Sequence, residues 1–150
     1  MSVTIKQGDL LEATEDIIAH QVNCHGVAGG LAAAIFDKWP YAEHDYMQIC
    51  WRMNPWALIG FMQLTGQQKD GHVICNLFGQ YQPEADYNPE ALEKALTKLA
   101  TVAEIKGWSV ALPYHLSCGI CGGDWNEVYQ IIERTMQKVT CVIYQKEGDT

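Results

Sequence analysis

Three glycines within five residues, Gly26, Gly29 and Gly30, lie between the apolar run Ile17–Val22 and the helix-forming stretch Leu31-Ala-Ala-Ala-Ile-Phe36. Bare backbone at such a junction lets main-chain N–H groups approach an anion closely, and the helix start adds partial positive charge. That chemistry suits a phosphate or diphosphate. A tight strand-to-helix turn needing positive φ is the plain alternative, but three glycines exceed what a turn requires. The spacing is neither G-x-G-x-x-G nor a P-loop, because no Gly-Lys-Ser/Thr follows.

Ser117-Cys-Gly-Ile-Cys-Gly-Gly-Asp-Trp125 forms a second junction of the same kind. Cys118 and Cys121 have redox spacing, and a helix N-terminus lowers a thiol pKa. A zinc site would need two more ligands, which Cys24 and His25 could supply. Gly119, Gly122 and Gly123 point instead to backbone contact with a ligand. Asp124 can cap the last helix, with Glu127 reciprocating, or stand at a pocket rim to bind a hydroxyl or activate water. Of the histidines, His20 sits inside an apolar strand, His25 on the first loop and His115 ahead of the second. Any of them could titrate near neutral pH. Asn23 ends the strand where a ligand would sit. Asp9 is a turn residue or an acceptor for a base amine, and Tyr144 packs on an adenine face or on protein.

Composition narrows the partners. A chain of 150 residues, 48% hydrophobic and 19% charged, makes one globular domain spanning 1–150. Its formal net charge of −8 argues against non-specific binding to nucleic acid or anionic membranes. An anionic ligand must therefore be held by amides and helix dipoles. No stretch approaches a membrane span, and the residues after Met1 lack a signal-peptide core. The six cysteines are then expected to be reduced thiols in a cytoplasm.

Elements must position these residues. Strands are predicted at Val3–Lys6, Ile17–Asn23, Trp56–Thr65, His72–Phe78, Trp108–Leu112 and Val139–Tyr144, the third and fourth joined as a hairpin. Helices are predicted from Gly29 to Lys38, stopped by Trp39-Pro40, and over Ala42–Trp51, followed by the loop Arg52-Met-Asn-Pro55. A third runs from Asn88-Pro89-Glu90 to Gly107, burying Leu92, Leu96, Leu99 and Ala103, and the last opens at Asp124. Strands alternating with helices, plus one hairpin, imply a three-layer α/β/α domain with a mixed, mostly parallel central sheet. Ligands of such sheets sit beyond the carboxyl ends of the strands, where both glycine segments fall.

The combination Gln7-Gly-Asp-Leu10, His20-Gln-Val-Asn-Cys-His-Gly-Val-Ala-Gly-Gly-Leu-Ala32 and Leu112-Pro-Tyr-His-Leu-Ser-Cys-Gly-Ile-Cys-Gly-Gly-Asp-Trp125 resembles a macro domain, the ADP-ribose-binding module. The resemblance implies that Asp9 and Leu10 meet adenine, with Tyr144 nearby. It places Gly29, Gly30 and Leu31 on one side of the diphosphate. The other side falls to the second loop, taken as His115, Ser117, Cys118, Gly119, Ile120, Cys121 and Gly122. Asn23 and Gly26 face the distal ribose.

Two subgroups are most similar: the yeast-type ADP-ribose-1″-phosphate phosphatase and the terminal ADP-ribose protein glycohydrolase. The glycohydrolase's lysine nucleophile has no counterpart in Leu77–Asp86, and its partner aspartate aligns with Cys121. His20 matches the histidine proposed as catalytic in the phosphatase-like subgroup. The expectation is thus a hydrolase at the distal-ribose end of ADP-ribose derivatives, with His20, Asn23 and Asp124 as catalytic residues and neither metal nor cofactor. The alternatives are an ADP-ribosyl hydrolase acting on modified macromolecules and a non-catalytic reader.

Overall fold

The computed structural model describes residues 2–67, 71–118 and 122–147. Six strands form one sheet: β1 (Val3–Gln7), β2 (Ile17–Gln21), β3 (Met62–Thr65), β4 (Val73–Leu77), β5 (Val110–Pro113) and β6 (Cys141–Gln145). Their order is β1-β6-β5-β2-β4-β3, and every neighbouring pair is parallel except β3 with β4. The carboxyl ends of β1, β6, β5, β2 and β4 therefore lie along one edge.

Alternation along the strands divides the core into two layers. Ile17, Ala19, Cys75, Leu77, Val110, Leu112 and Ile143 face α4 (Pro89–Lys106) and α5 (Trp125–Thr135). Ile18, Val22, Ile74, Phe78 and Ala111 face α1 (Gly30–Lys38), α2 (Pro40–Arg52) and the one-turn α3 (Pro55–Leu58). Strands covered on both faces read as continuous apolar runs, which is why β2 and β4 were legible.

The predicted α4 is present in detail. The Asn88 side chain accepts from Ala91 N at 3.0 Å, Pro89 occupies the first turn, and Gly107 closes the helix with φ 68°. The ends of β2, β5 and β6 shift by one or two residues from the sequence expectation, and two other boundaries differ in kind. Pro40 begins α2 rather than separating it from α1, since proline fits a first turn that needs no N–H. The expected strand Trp56–Thr65 begins only at Met62, because Asn54 caps α3 by accepting from Trp56 N at 3.0 Å. Among the described residues no helix is long and apolar enough to cross a membrane.

Candidate functional site

Both glycine segments meet at the carboxyl edge of adjacent strands, β2 and β5. After β2 the chain turns through Asn23–Gly29 into α1. Gly29 is the N-cap of α1 and offers no side chain to its first amides. Gly30 has φ 53°, and nothing lies within 4 Å of a Cβ built on either residue. The first turn of α1 thus presents uncovered N–H groups and positive dipole, flanked by the exposed Leu31.

Asn23 shapes this loop from within. Its Nδ2 donates to Val27 O at 2.7 Å, and its Oδ1 accepts from His25 N at 2.9 Å. The buried Tyr46 hydroxyl lies 2.8 Å from Asn23 O and 3.0 Å from Asn23 Oδ1, a bifurcated donor from α2. At 7% exposure, Asn23 has its amide hydrogen-bonded within the loop. Gly26 packs against Met47 and Cys50 of α2.

His20 lies beneath that loop and is 1% exposed. Asn76 Nδ2 donates to Gln63 Oε1 at 3.1 Å, which turns Asn76 Oδ1 toward His20 Nε2, 2.7 Å away, so Nε2 carries the proton. His20 Nδ1 has no partner among the described residues, and Phe36 stands edge-on to the ring at 5.3 Å. Burial pulls the imidazole down to about 4, against the opposing effect of the Asn76 hydrogen bond. His20 is thus a buried imidazole beneath the loop, held neutral by its surroundings.

The loop after β5 is tied down. His115 and Ser117 hold φ of 64° and 65°, a region that residues with side chains rarely adopt. The His115 ring lies tilted against Tyr114 at 4.2 Å and edge-on to Trp125 at 5.6 Å. Ser117 Oγ donates to Gln21 Oε1, and Ser117 O accepts from Gly123 N at 2.8 Å. A Cβ on Gly123 would lie 2.4 Å from Ser117 O and 2.7 Å from the Tyr87 ring, so only glycine fits there.

Cys118 donates to Leu116 O at 3.2 Å. Gly122 is exposed with φ 83°; Gly119, Ile120 and Cys121 lie outside the described residues. Asp124 caps α5, its Oδ1 accepting from Asn126 N at 3.0 Å. The expected reciprocal contact from Glu127 is replaced by a hydrogen bond from the Tyr87 hydroxyl to Glu127.

At the β1–β6 end, Asp9 caps a short 3-10 turn by accepting from Leu11 N at 2.9 Å, with Lys146 Nζ 3.9 Å from its other oxygen. Leu10 is buried. Tyr144 packs on protein: its ring runs beneath Gly8, its hydroxyl donates to Glu15 Oε1 at 2.7 Å, and burial pushes its pKa up.

The zinc alternative loses a ligand, because the buried Cys24 thiol donates to Gln80 O and is pushed up to about 12 by burial. Two grooves lie away from this edge. One of about 430 Å³, lined by Asp16, Trp108 and Lys138 among others, borders the amino ends of the strands. The other, of about 680 Å³, runs along α2. Neither groove includes a residue of the two glycine segments.

Sequence reading overlooked Tyr46, Gln21, Gln80 and Asn76. Gln21 and Gln80 had a signal: each is a polar residue at, or three residues past, the end of an apolar strand on this edge. Tyr81, in the loop after β4, joins the same rim. Its carbonyl accepts from Cys24 N at 3.1 Å, His25 meets its ring edge-on at 4.9 Å, and the exposed Trp56 lies against it at 4.6 Å.

This arrangement, an open helix start beside a second glycine loop at the sheet's carboxyl edge, agrees with comparison against known proteins. The Macro domain family model matches residues 19–132. The chain is a macro domain. It is 24% identical to an ADP-ribose 1″-phosphate phosphatase of Saccharomyces cerevisiae, covering 96% of this chain and 98% of the relative. It is 30% identical to a DNA ADP-ribosyl glycohydrolase of Mycobacterium tuberculosis over 97% of its own length. There the match spans only 43% of the relative. Among solved structures, the macrodomain of Mycobacterium tuberculosis DarG superimposes with a TM-score of 0.81 at 31% identity, covering 95% of this chain and 96% of the other.

Proposed function

We propose that this macro domain is a hydrolase acting at the distal-ribose end of an ADP-ribose derivative, with ADP-ribose-1″-phosphate the leading substrate. One observation carries the reading: α1 begins with no side-chain cap, on two glycines around which the space is open. Uncovered amides aligned with a helix dipole are what a diphosphate needs from a chain of net charge −8. Gly29, Gly30 and Leu31 would hold the diphosphate on one side, and the Ser117–Gly122 loop on the other. Adenine would then lie toward Asp9, and the distal ribose toward the ends of β2 and β4.

For phosphate release, water adds to phosphorus, the bond from phosphorus to the ribose oxygen breaks, and that oxygen leaves as a hydroxyl. Asp124 is assigned to orient the water, being an exposed carboxylate at the rim of the second loop. Asn23 and His20 act through the loop they support. The test is phosphate release from ADP-ribose-1″-phosphate by wild type and Asp124→Asn. Asparagine keeps the N-cap but removes the charge. Expected is intact ADP-ribose affinity with turnover down about 100-fold, a typical contribution of general base catalysis. Wild-type binding without turnover would leave a reader module, a reading favoured by the sealed His20 and by the lack of lysine between Leu77 and Asp86.

The name of the DNA ADP-ribosyl glycohydrolase supports a second substrate class, ADP-ribose linked to macromolecules, tested by release of ADP-ribose from modified DNA and protein. Free thiols at all five described cysteines support a cytoplasmic setting.

A further inference from the structure

We propose that Gln21 is a positioning residue whose side-chain amide holds the three walls of the site in register. The inference rests on the ADP-ribose reading above only for its ligand-binding consequence. Gln21 is the last residue of β2, the strand between β5 and β4, so it stands between the loops that leave all three strands. Its Oε1 accepts the Ser117 hydroxyl from the loop after β5, and its Nε2 donates to Gln80 Oε1 at 3.2 Å in the loop after β4. Gln80 Nε2 in turn donates to Glu84 O at 2.8 Å.

The directions are mutually determined. Glu84 offers a carbonyl, so Gln80 must turn its nitrogen there and its oxygen to Gln21. Gln21 must then present nitrogen to Gln80 and oxygen to Ser117. Each amide orientation is set by the next.

Two further observations make the contact specific rather than space-filling. A Cβ on Gly79 would lie 2.5 Å from Gln21 Oε1, so the amide occupies space that only a glycine at 79 leaves open. Ser117 sits at φ 65°, a conformation its side chain disfavours, and its hydroxyl bond to Gln21 helps to anchor it there. That hydroxyl proton is already committed, so Ser117 Oγ holds the loop rather than donating to a ligand.

The experiment compares wild type with Gln21→Leu, Gln21→Glu, Ser117→Ala and the Gln21→Leu/Ser117→Ala double variant. ADP-ribose calorimetry, thermal unfolding and amide hydrogen exchange are read on each. Gln21→Leu and Ser117→Ala should each weaken ADP-ribose binding about tenfold. The double variant should be no weaker than Gln21→Leu alone, because that substitution already removes the bond to Ser117. Gln21→Glu keeps the acceptor for Ser117 but loses the donor to Gln80, so its deficit should shrink as pH falls and the carboxyl regains a proton. A purely structural glutamine would show no such pH rescue.

Wild-type affinity in folded Gln21→Leu, or additive losses in the double variant, would overturn the proposal. If wild type itself binds no ADP-ribose, the functional reading fails and the positioning role is judged by exchange without ligand. Protection of the amides over 80–87 and 114–118 should then fall in Gln21→Leu, and unchanged protection would refute it.

Discussion

The helices α1 and α5 begin alike, each on a glycine-rich turn at the carboxyl end of a parallel strand, yet their first turns are in opposite states. Asp124 supplies a carboxylate to the amides of α5, whereas Gly29 leaves those of α1 bare. The described ends of the loop before α5 are held by Tyr87 and Gln21; the loop before α1 is braced by Asn23 and Tyr46 from below and by Tyr81 at its side. A helix N-terminus that carries its own anion has less to offer a second one. Under the proposed function the difference would divide the labour, with α1 as the electrostatic seat and the described ends of the second loop, Tyr114–Cys118 and Gly122–Asp124, as its flank.

Making the first junction resemble the second should have the largest effect. Gly29→Asp puts a carboxylate where the diphosphate would sit. Its extended φ of −146° tolerates the new side chain, and stability should change by less than about 0.5 kcal/mol. ADP-ribose affinity should nevertheless fall about a thousandfold, roughly 4 kcal/mol by calorimetry. Retained affinity would mean that α1 is not the seat.

Beneath the first loop, His20 makes stability depend on pH. The unfolded chain takes up its proton near pH 6.5, the folded chain only near 4. The stabilisation is therefore complete above pH 6.5 and is lost as pH falls toward 4, by about 3 kcal/mol in urea titrations. His20→Leu should flatten that slope.

Gly123→Ala forces a methyl into Ser117 O and Tyr87 and should destabilise by about 2 kcal/mol, while Gly29→Ala, with open space around it, should stay near wild type. Thermal unfolding of the two variants tests the closed and open loops directly. Smallest of these effects, Asp124→Ala removes a cap worth about 1 kcal/mol, lowering Tm by roughly 3 °C.

How far the sequence could be read differs between the same two regions. The open junction announces itself, since glycines followed by a helix former have few other uses. The closed junction was legible as a strand–loop–helix, but its clasp was not. Tyr87 and Gln21 are 30 or more residues from Ser117, and only the sheet order brings them together. Local signals also succeeded or failed by context. Asn88-Pro89 was read as a helix start because a periodic stripe follows. The same pair at Asn54-Pro55 was passed over because the apolar run after it suggests a strand. His20 illustrates the limit for single residues: alternation along β2 puts it in the core, and no motif match can bring a side chain to the surface against that register.

One feature of the sheet bears on how the molecule is made. β1 pairs in the sheet only with β6, with Val3 opposite Cys141. Loop closure over that separation is entropically slow, whereas β2 meets β4 and β5 over shorter stretches of chain. β1, and the Asp9 turn that hangs from it, gain their place in the sheet only when β6 does. The Asp9 end of the carboxyl edge is thus expected to form later than the end that carries α1.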